Sequence, residues 1–186
     1  MKKSYTGLII LIILIILAGG FISIHNNIVR SSEEVDAKYS DIDVQLKRRA
    51  DLIPNLISTV KGYMAHEEKI IESITEARTN LLNAKTISEK AKTDNELTKA
   101  LSSFNVIVEN YPDLKANTNF ISLQDELAGT ENRIANARKS YNDAVKSYNQ
   151  LVSVFPSKIV ANMFNFEKKQ YFEASETDTG VPNVEF

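Results

Sequence analysis

The stretch FISLQDELAGTENRIANARKSYNDAVKSYNQLVSVF, residues 120–155, decides the fold class. Phe120, Leu127, Ile134, Tyr141, Tyr148 and Phe155 recur every seven residues, and Leu123, Ala137, Ala144 and Leu151 form a second row, with Val145 and Val152 beside it. Steps of three and four place both rows on one helix face, which makes them a core-facing seam. Pro156 stops the pattern, because proline pushes the residue before it out of the helical region. The spacing predicts a helix over residues 117–154, about 55–60 Å long at the standard rise.

The segment upstream carries the matching face. Val35, Ile42 and Leu56 form one row and Tyr39, Leu46, Ile53 and Val60 the other. Two residues break the pattern. Arg49 stands where the rows expect an apolar side chain, and Pro54 falls inside the helix, where it removes the hydrogen bond to the Ala50 carbonyl and kinks the axis. Two shorter helices lie between these segments. Ile70, Ile71, Ile74, Ala77, Leu81 and Leu82 mark the first, and Leu97, Leu101, Phe104 and Val108 the second. The polar residues 86–95 read as the link between them, and Thr93 followed by Glu96 fits a capping box. Asn110-Tyr111-Pro112-Asp113 reads as the turn into the long helix, and residues 158–164 as one further short turn of helix. Tyrosines on the seam need partners for their hydroxyls. No alternating β-branched run occurs, so strands have no support. The expected fold is all-α: an N-terminal transmembrane helix followed by an elongated antiparallel four-helix bundle.

Residues 4–24 carry no charge, and residues 8–17 are only Leu and Ile. About 20 apolar residues at about 1.5 Å each span a hydrocarbon core of about 30 Å. Lys2, Lys3 and the small residues Ala18-Gly19-Gly20 also suit a signal peptide. The apolar run, however, continues through Phe21, Ile22 and Ile24, beyond an ordinary signal core, which favours an uncleaved anchor. The domain reading is a flank at 1–4, a transmembrane anchor at 5–24, a helical bundle at 28–172 and an acidic disordered tail at 173–186. Lys2, Lys3 and the α-amino group precede the span, and Arg30 and Lys38 follow it. That bias leans towards a body outside the cytoplasmic membrane, with a cytoplasmic body as the alternative.

The 186 residues hold 24 acids, 22 bases, two histidines and no cysteine, for a net charge of −2. Setting aside the four tail acids and the two N-terminal lysines leaves 20 of each sign, a neutral body that argues against nucleic-acid binding. Without cysteine there is no disulfide, thiolate metal site or cysteine nucleophile. His66-Glu67-Glu68 lacks a second histidine one turn on, so it reads as a polar helix end rather than a metal site. The acid pairs Asp41/Asp43 and Asp125/Glu126 do not share a helix face. The residues therefore point to no enzyme, cofactor or metal. The densest polar group on an apolar helix is Lys47-Arg48-Arg49 with Asp51 and Asn55, beside Pro54. Lys47 and Arg48 read as a solvated face, with Arg48 paired to Asp51. Arg49 does not, because a buried guanidinium without a partner is costly. Pairing Val35 with Val152 places Arg49 level with Arg138, and the two cations repel unless an anion lies between them. Glu131 then falls two turns from Arg49, roughly 10 Å away. A carboxylate partner is expected for Arg49, from Glu131, another helix or a bound protein.

Several segments, in order, resemble the LemA family of bacterial membrane proteins: DIDVQLKRRADLIPNL (41–56), VKGYMAHE (60–67), YPDLKA (111–116), LQDEL (123–127), TENRI (130–134), ARKSYN (137–142), FPS (155–157) and YFEA (171–174). The resemblance implies a single-pass helical-bundle protein of the bacterial envelope with no established enzymatic activity. Family members are often encoded beside membrane-bound zinc proteases or other envelope proteins. The functional expectation is a non-enzymatic interaction or scaffold module whose partners are the lipid bilayer and an envelope protein, with self-association open. The alternative is an accessory or substrate of a membrane-bound protease, recognised through its C-terminal tail.

Overall fold

A computed structural model describes residues 2–64 and 66–173, so the expected disordered tail lies, from residue 174 onward, outside the described residues. Among the described residues every regular element is helical. The order is α1 (Lys2–Val60), α2 (Glu68–Asn83), α3 (Ile87–Val108), α4 (Pro112–Lys115), α5 (Thr118–Leu151) and α6 (Ser157–Met163). The N-terminal apolar run and the first body helix form one helix, unbroken at Asn26-Asn27 and continuing through Pro54.

The chain divides into two compact units, one of Met1–Tyr39 with Ser140–Gln170, the other of Ser40–Lys139 with Tyr171–Phe186. In the first, Ile28 and Val35 of α1, Tyr141, Val145 and Tyr148 of α5, Val152 just beyond it, and Val160 and Ala161 of α6 form the core. The Tyr141 hydroxyl donates to the Gln170 carbonyl at 2.8 Å, which satisfies a polar group within the seam. Burial, with Tyr39 and Asp36 nearby, pushes the Tyr141 phenol up to about 12. The segment after α6 is strapped to the same core. The Asn149 amide brackets the Lys169 backbone, accepting from its N–H at 2.8 Å and donating to its carbonyl at 2.9 Å. The Lys169 ammonium reaches Asp36 at 2.6 Å and the Ser32 carbonyl at 3.1 Å.

The second unit is the four-helix bundle. Arg48 meets Glu126 and Tyr63 meets Asn117, so α1 and α5 run antiparallel. Arg78 of α2 meets Ala50, while Lys90 and Asp94 of α3 meet Asp43 and Arg49, which gives an up-down-up-down order. The expected rows supply its interior: Ile42, Leu46, Ile53, Leu56 and Val60 from α1 against Ile74, Leu97, Phe104, Leu127 and Ile134.

Four local expectations need correction. The capping box is not Thr93/Glu96 but Thr86/Glu89, where the Glu89 amide donates to Thr86 Oγ1 at 3.1 Å and the Glu89 carboxylate accepts from the Thr86 amide at 3.0 Å. Those backbone amides, from Thr86 and then Lys85, hold the Glu89 carboxyl below its usual range. Residues 87–95 are therefore the first turns of α3 and not a link, and Thr93 donates back to the Glu89 carbonyl. Asn110-Tyr111-Pro112-Asp113 leads first into the short α4. Phe155, the last member of the seven-residue row, is 82% exposed, because α5 ends at Leu151 and the chain turns before the row can continue.

Candidate functional site

Arg49 projects from α1 into the four-helix unit, and its side chain is 4% exposed. Its Nη1 donates to Asp94 Oδ1 at 2.8 Å and to Thr98 Oγ1 at 3.0 Å, both on α3. That commits both protons of the nitrogen. Glu131 Oε2 on α5, 2.8 Å from the same nitrogen, makes an ion pair without the alignment of a hydrogen bond. The second Asp94 oxygen accepts from Arg138 Nη2 of α5. Asp94, with a side chain only 1% exposed, is the anion between two guanidiniums. Arg138 also lies over the Phe172 ring, 4.9 Å from its centroid, in a cation–π contact. Thr98 returns its own proton to the Asp94 carbonyl at 3.0 Å, which fixes the hydroxyl as an acceptor for Arg49.

The structure thus joins Arg49, Glu131 and Arg138 into one cluster and keeps the other sequence-selected residues apart from it. Arg48 is exposed and pairs with Glu126 at 3.0 Å, not with Asp51. Asp51 and Asn55 are exposed on α1, where the Asn55 carbonyl accepts from Thr59 at 2.9 Å. The expected gap of two turns between Arg49 and Glu131 does not exist, since the ion pair is direct. Pro54 acts on the backbone. It has no N–H to give the Ala50 carbonyl, and Arg78 Nε of α2 fills that vacancy with a 2.8 Å hydrogen bond. Asp94, Thr98 and Arg78 were not expected from the sequence. The usable signal for the first two was the spacing Ile87, Ala91, Asp94, Thr98, Leu101, a helical stripe with polar residues at its centre.

Within this cluster the Nε atoms of Arg49 and Arg138 are buried without a hydrogen-bond partner among the described residues. Two cations face two carboxylates, and the innermost charges are held by each other and by a hydroxyl. A groove of about 220 Å³ opens beside Arg49 and Glu131, edged by Thr98, Ser102, Asn105 and Gln124. His66 is exposed in the turn between α1 and α2. Among the described residues no group of three or more His, Asp or Glu is placed to hold a metal ion.

These features define a class: an all-α bundle protein whose first helix carries an apolar segment long enough to cross a bilayer. The chain belongs to the LemA family, whose sequence model matches residues 38–186 and so covers α1 from its middle, the whole four-helix unit and the buried ion cluster. No curated protein matches the chain.

Proposed function

We propose that this protein is a non-enzymatic, single-pass membrane-anchored helical module that offers its bundle as an interaction or scaffold surface at the bacterial cell envelope. The observation that carries the reading is the first third of α1. Its window of mean hydropathy 3.0 has none of its surface buried by the protein, and Leu8 to Leu17 are each 48–66% exposed. Ten consecutive large apolar side chains that the described residues leave exposed match the demands of a lipid environment. The same helix then continues directly into buried core at Ile28 and Val35. The ion cluster supports a structural role over a catalytic one, because its charges neutralise one another and its innermost carboxylate is fully sequestered. The lysines ahead of the span support a body on the outer side of the cytoplasmic membrane.

The test is an alkaline wash of membranes, followed by N-terminal sequencing of the extracted protein and cross-linked pull-down with mass spectrometry. Retention in the pellet with an intact N-terminus, together with a reproducible envelope partner or a second copy of the chain, is expected. A mature N-terminus near Phe21, or release by the wash, would overturn the anchor. Protease treatment of intact cells should remove the bundle, and full protection would reverse the orientation.

A further inference from the structure

Beside α1, at the end of the apolar run, the first unit carries an apolar face that the described residues leave exposed. Phe155 is 82% exposed, Ile159 55% and Met163 64%. Ile159 and Met163 follow at spacing four, so they share one side of α6, while Ser157, Val160 and Ala161 form its buried side, and Phe155 stands exposed in the turn that leads into it. Phe164 is 46% exposed and completes the patch. The position of this patch is set by packing. The Phe164 ring stands edge-on to His25 with centroids 4.5 Å apart and lies 6.0 Å from the Phe21 ring, and the Phe166 ring lies 5.8 Å from His25 and 6.4 Å from Phe164. A Schellman-type cap holds those two rings in place: Phe166 N–H donates to the Ala161 carbonyl at 2.9 Å, with Asn165 at φ 56° in the left-handed position. Asn tolerates that conformation better than most residues.

Phe21 belongs to the uncharged run 4–24. If residues 5–24 fill the hydrocarbon layer, Phe21 sits three residues, about 4.5 Å of helix rise, below its edge. A ring packed on both Phe21 and His25 is then at the boundary itself. Ile22, 58% exposed, lies at the same level of α1. We infer that the turn holding Phe155 and the outer face of α6 form a second membrane contact, an interfacial foot in which Phe155, Ile159, Met163 and Phe164 enter the headgroup–acyl boundary of the bilayer that α1 crosses. Apolar faces of this kind bury about 5–10 Å into that layer. The exposed Lys158 lies between Phe155 and Ile159 in sequence, where its ammonium can meet lipid phosphates. The occupant is lipid rather than protein because the patch is continuous, through Phe164 and Phe21, with the surface that faces lipid.

This inference rests on the anchor reading, and the experiment separates the two. The chain has no cysteine, so single labels can be placed without background. Full-length Ile159→Cys, Met163→Cys, Leu14→Cys and Ser140→Cys proteins, each carrying an environment-sensitive nitroxide-quenchable dye, are reconstituted in phosphatidylcholine–phosphatidylglycerol vesicles. Lipids with a nitroxide near the headgroup or near the chain end serve as depth probes. The labels at 159 and 163 should be quenched several-fold more by the headgroup-proximal nitroxide than the label at Ser140, which is exposed on α5 eleven residues before its end. The label at Leu14 should respond to the deep nitroxide. A quenched Leu14 label with labels at 159 and 163 that match Ser140 overturns the foot and leaves the anchor intact. An unquenched Leu14 label overturns the anchor, and the foot falls with it unless 159 and 163 are quenched on their own, which supports the foot as the sole contact. A blue-shifted but unquenched label at 159 and 163 means that protein covers the patch, and overturns the inference.

Discussion

The buried carboxylate of Asp94 makes a sharp energetic prediction. Asp94→Leu removes the anion between Arg49 and Arg138, whose side chains are 4% and 26% exposed. Arg138 can turn its head to water, but Arg49 cannot, and Glu131 is the only carboxylate left beside it, with the Thr98 hydroxyl. Removing one partner of a buried pair costs about 3–5 kcal/mol. For a chain of this size that is a fall of about 6–20 °C in thermal midpoint. Arg49→Met is the milder change. Asp94 keeps Arg138, and Glu131, 42% exposed, returns to solvent, so the loss should be about 1–3 kcal/mol. The double variant leaves no stranded ion at the centre and fills the space with apolar atoms. It should lie within about 2 kcal/mol of the parent, far less destabilised than the sum of the two single changes. The assay is urea and thermal unfolding of the full chain in non-ionic detergent, followed by helical circular dichroism. Additive losses, or an Asp94→Leu loss below about 1 kcal/mol, would refute the claim that Asp94 is the counter-charge Arg49 depends on.

Arg78→Met should cost about 1–3 kcal/mol by stranding the Ala50 carbonyl, and Pro54→Ala, which restores an N–H to that carbonyl, should remove most of that cost when unfolding midpoints are compared. Tyr141 bears on alkaline stability: its folded-state phenol is raised to about 12 against an ordinary 10, so the stability it contributes is complete below pH 10 and lost as pH climbs towards 12. Tyr141→Phe should abolish that alkaline loss and cost about 1 kcal/mol at neutral pH through the missing bond to Gln170, both read from unfolding curves across the pH range. Pyrene labels on Arg48→Cys and Glu126→Cys, at positions whose native side chains lie 3.0 Å apart, should give strong excimer emission, while the pair Arg48→Cys and Arg133→Cys should not. In the Arg49→Met, Asp94→Leu background the two pairs should approach parity, and an unchanged ratio would count against the ion cluster as the register marker.

Much of the architecture was legible because its signal is repetitive. The rows on α1 and α5 state the same helical period many times, and Ile28, Val35, Ile134 and Tyr141 are buried as that period requires. Arg49 was legible as a single break in such a row. Asp94 was not, because α3 opens with Ser88, Glu89, Lys90, Lys92, Thr93 and Asn95, and that polarity mimics a loop. Only half-buried Ile87 and the small, buried Ala91 mark the inner side of those turns. Phe155 was misread for the opposite reason: a period extrapolated past the end of α5 assigns an exposed ring to the core. Arg78 could not be read at all, since its partner is a backbone carbonyl on another helix.

The repetition that reveals the bundle also leaves it underdetermined. If α5 slid by seven residues along α1 in the four-helix unit, Leu127 would take the place of Ile134 and Phe120 that of Leu127, apolar on apolar at both levels. Burial energy, being non-directional and set by area, barely distinguishes the two arrangements. The ion cluster does. The same slide moves Glu131 and Arg138 by about 10 Å along the helix axis and takes them out of reach of Arg49 and Asp94. Arg49 would lose Glu131, and Asp94 would lose Arg138, in an interior where neither can be hydrated. Arg49 and Asp94 keep each other, so a penalty of about 1–3 kcal/mol then falls on that wrong register and not on the right one. Buried charge that adds little to the stability of the native bundle can still select it, because specificity depends on the gap to the alternatives and not on the depth of the native state.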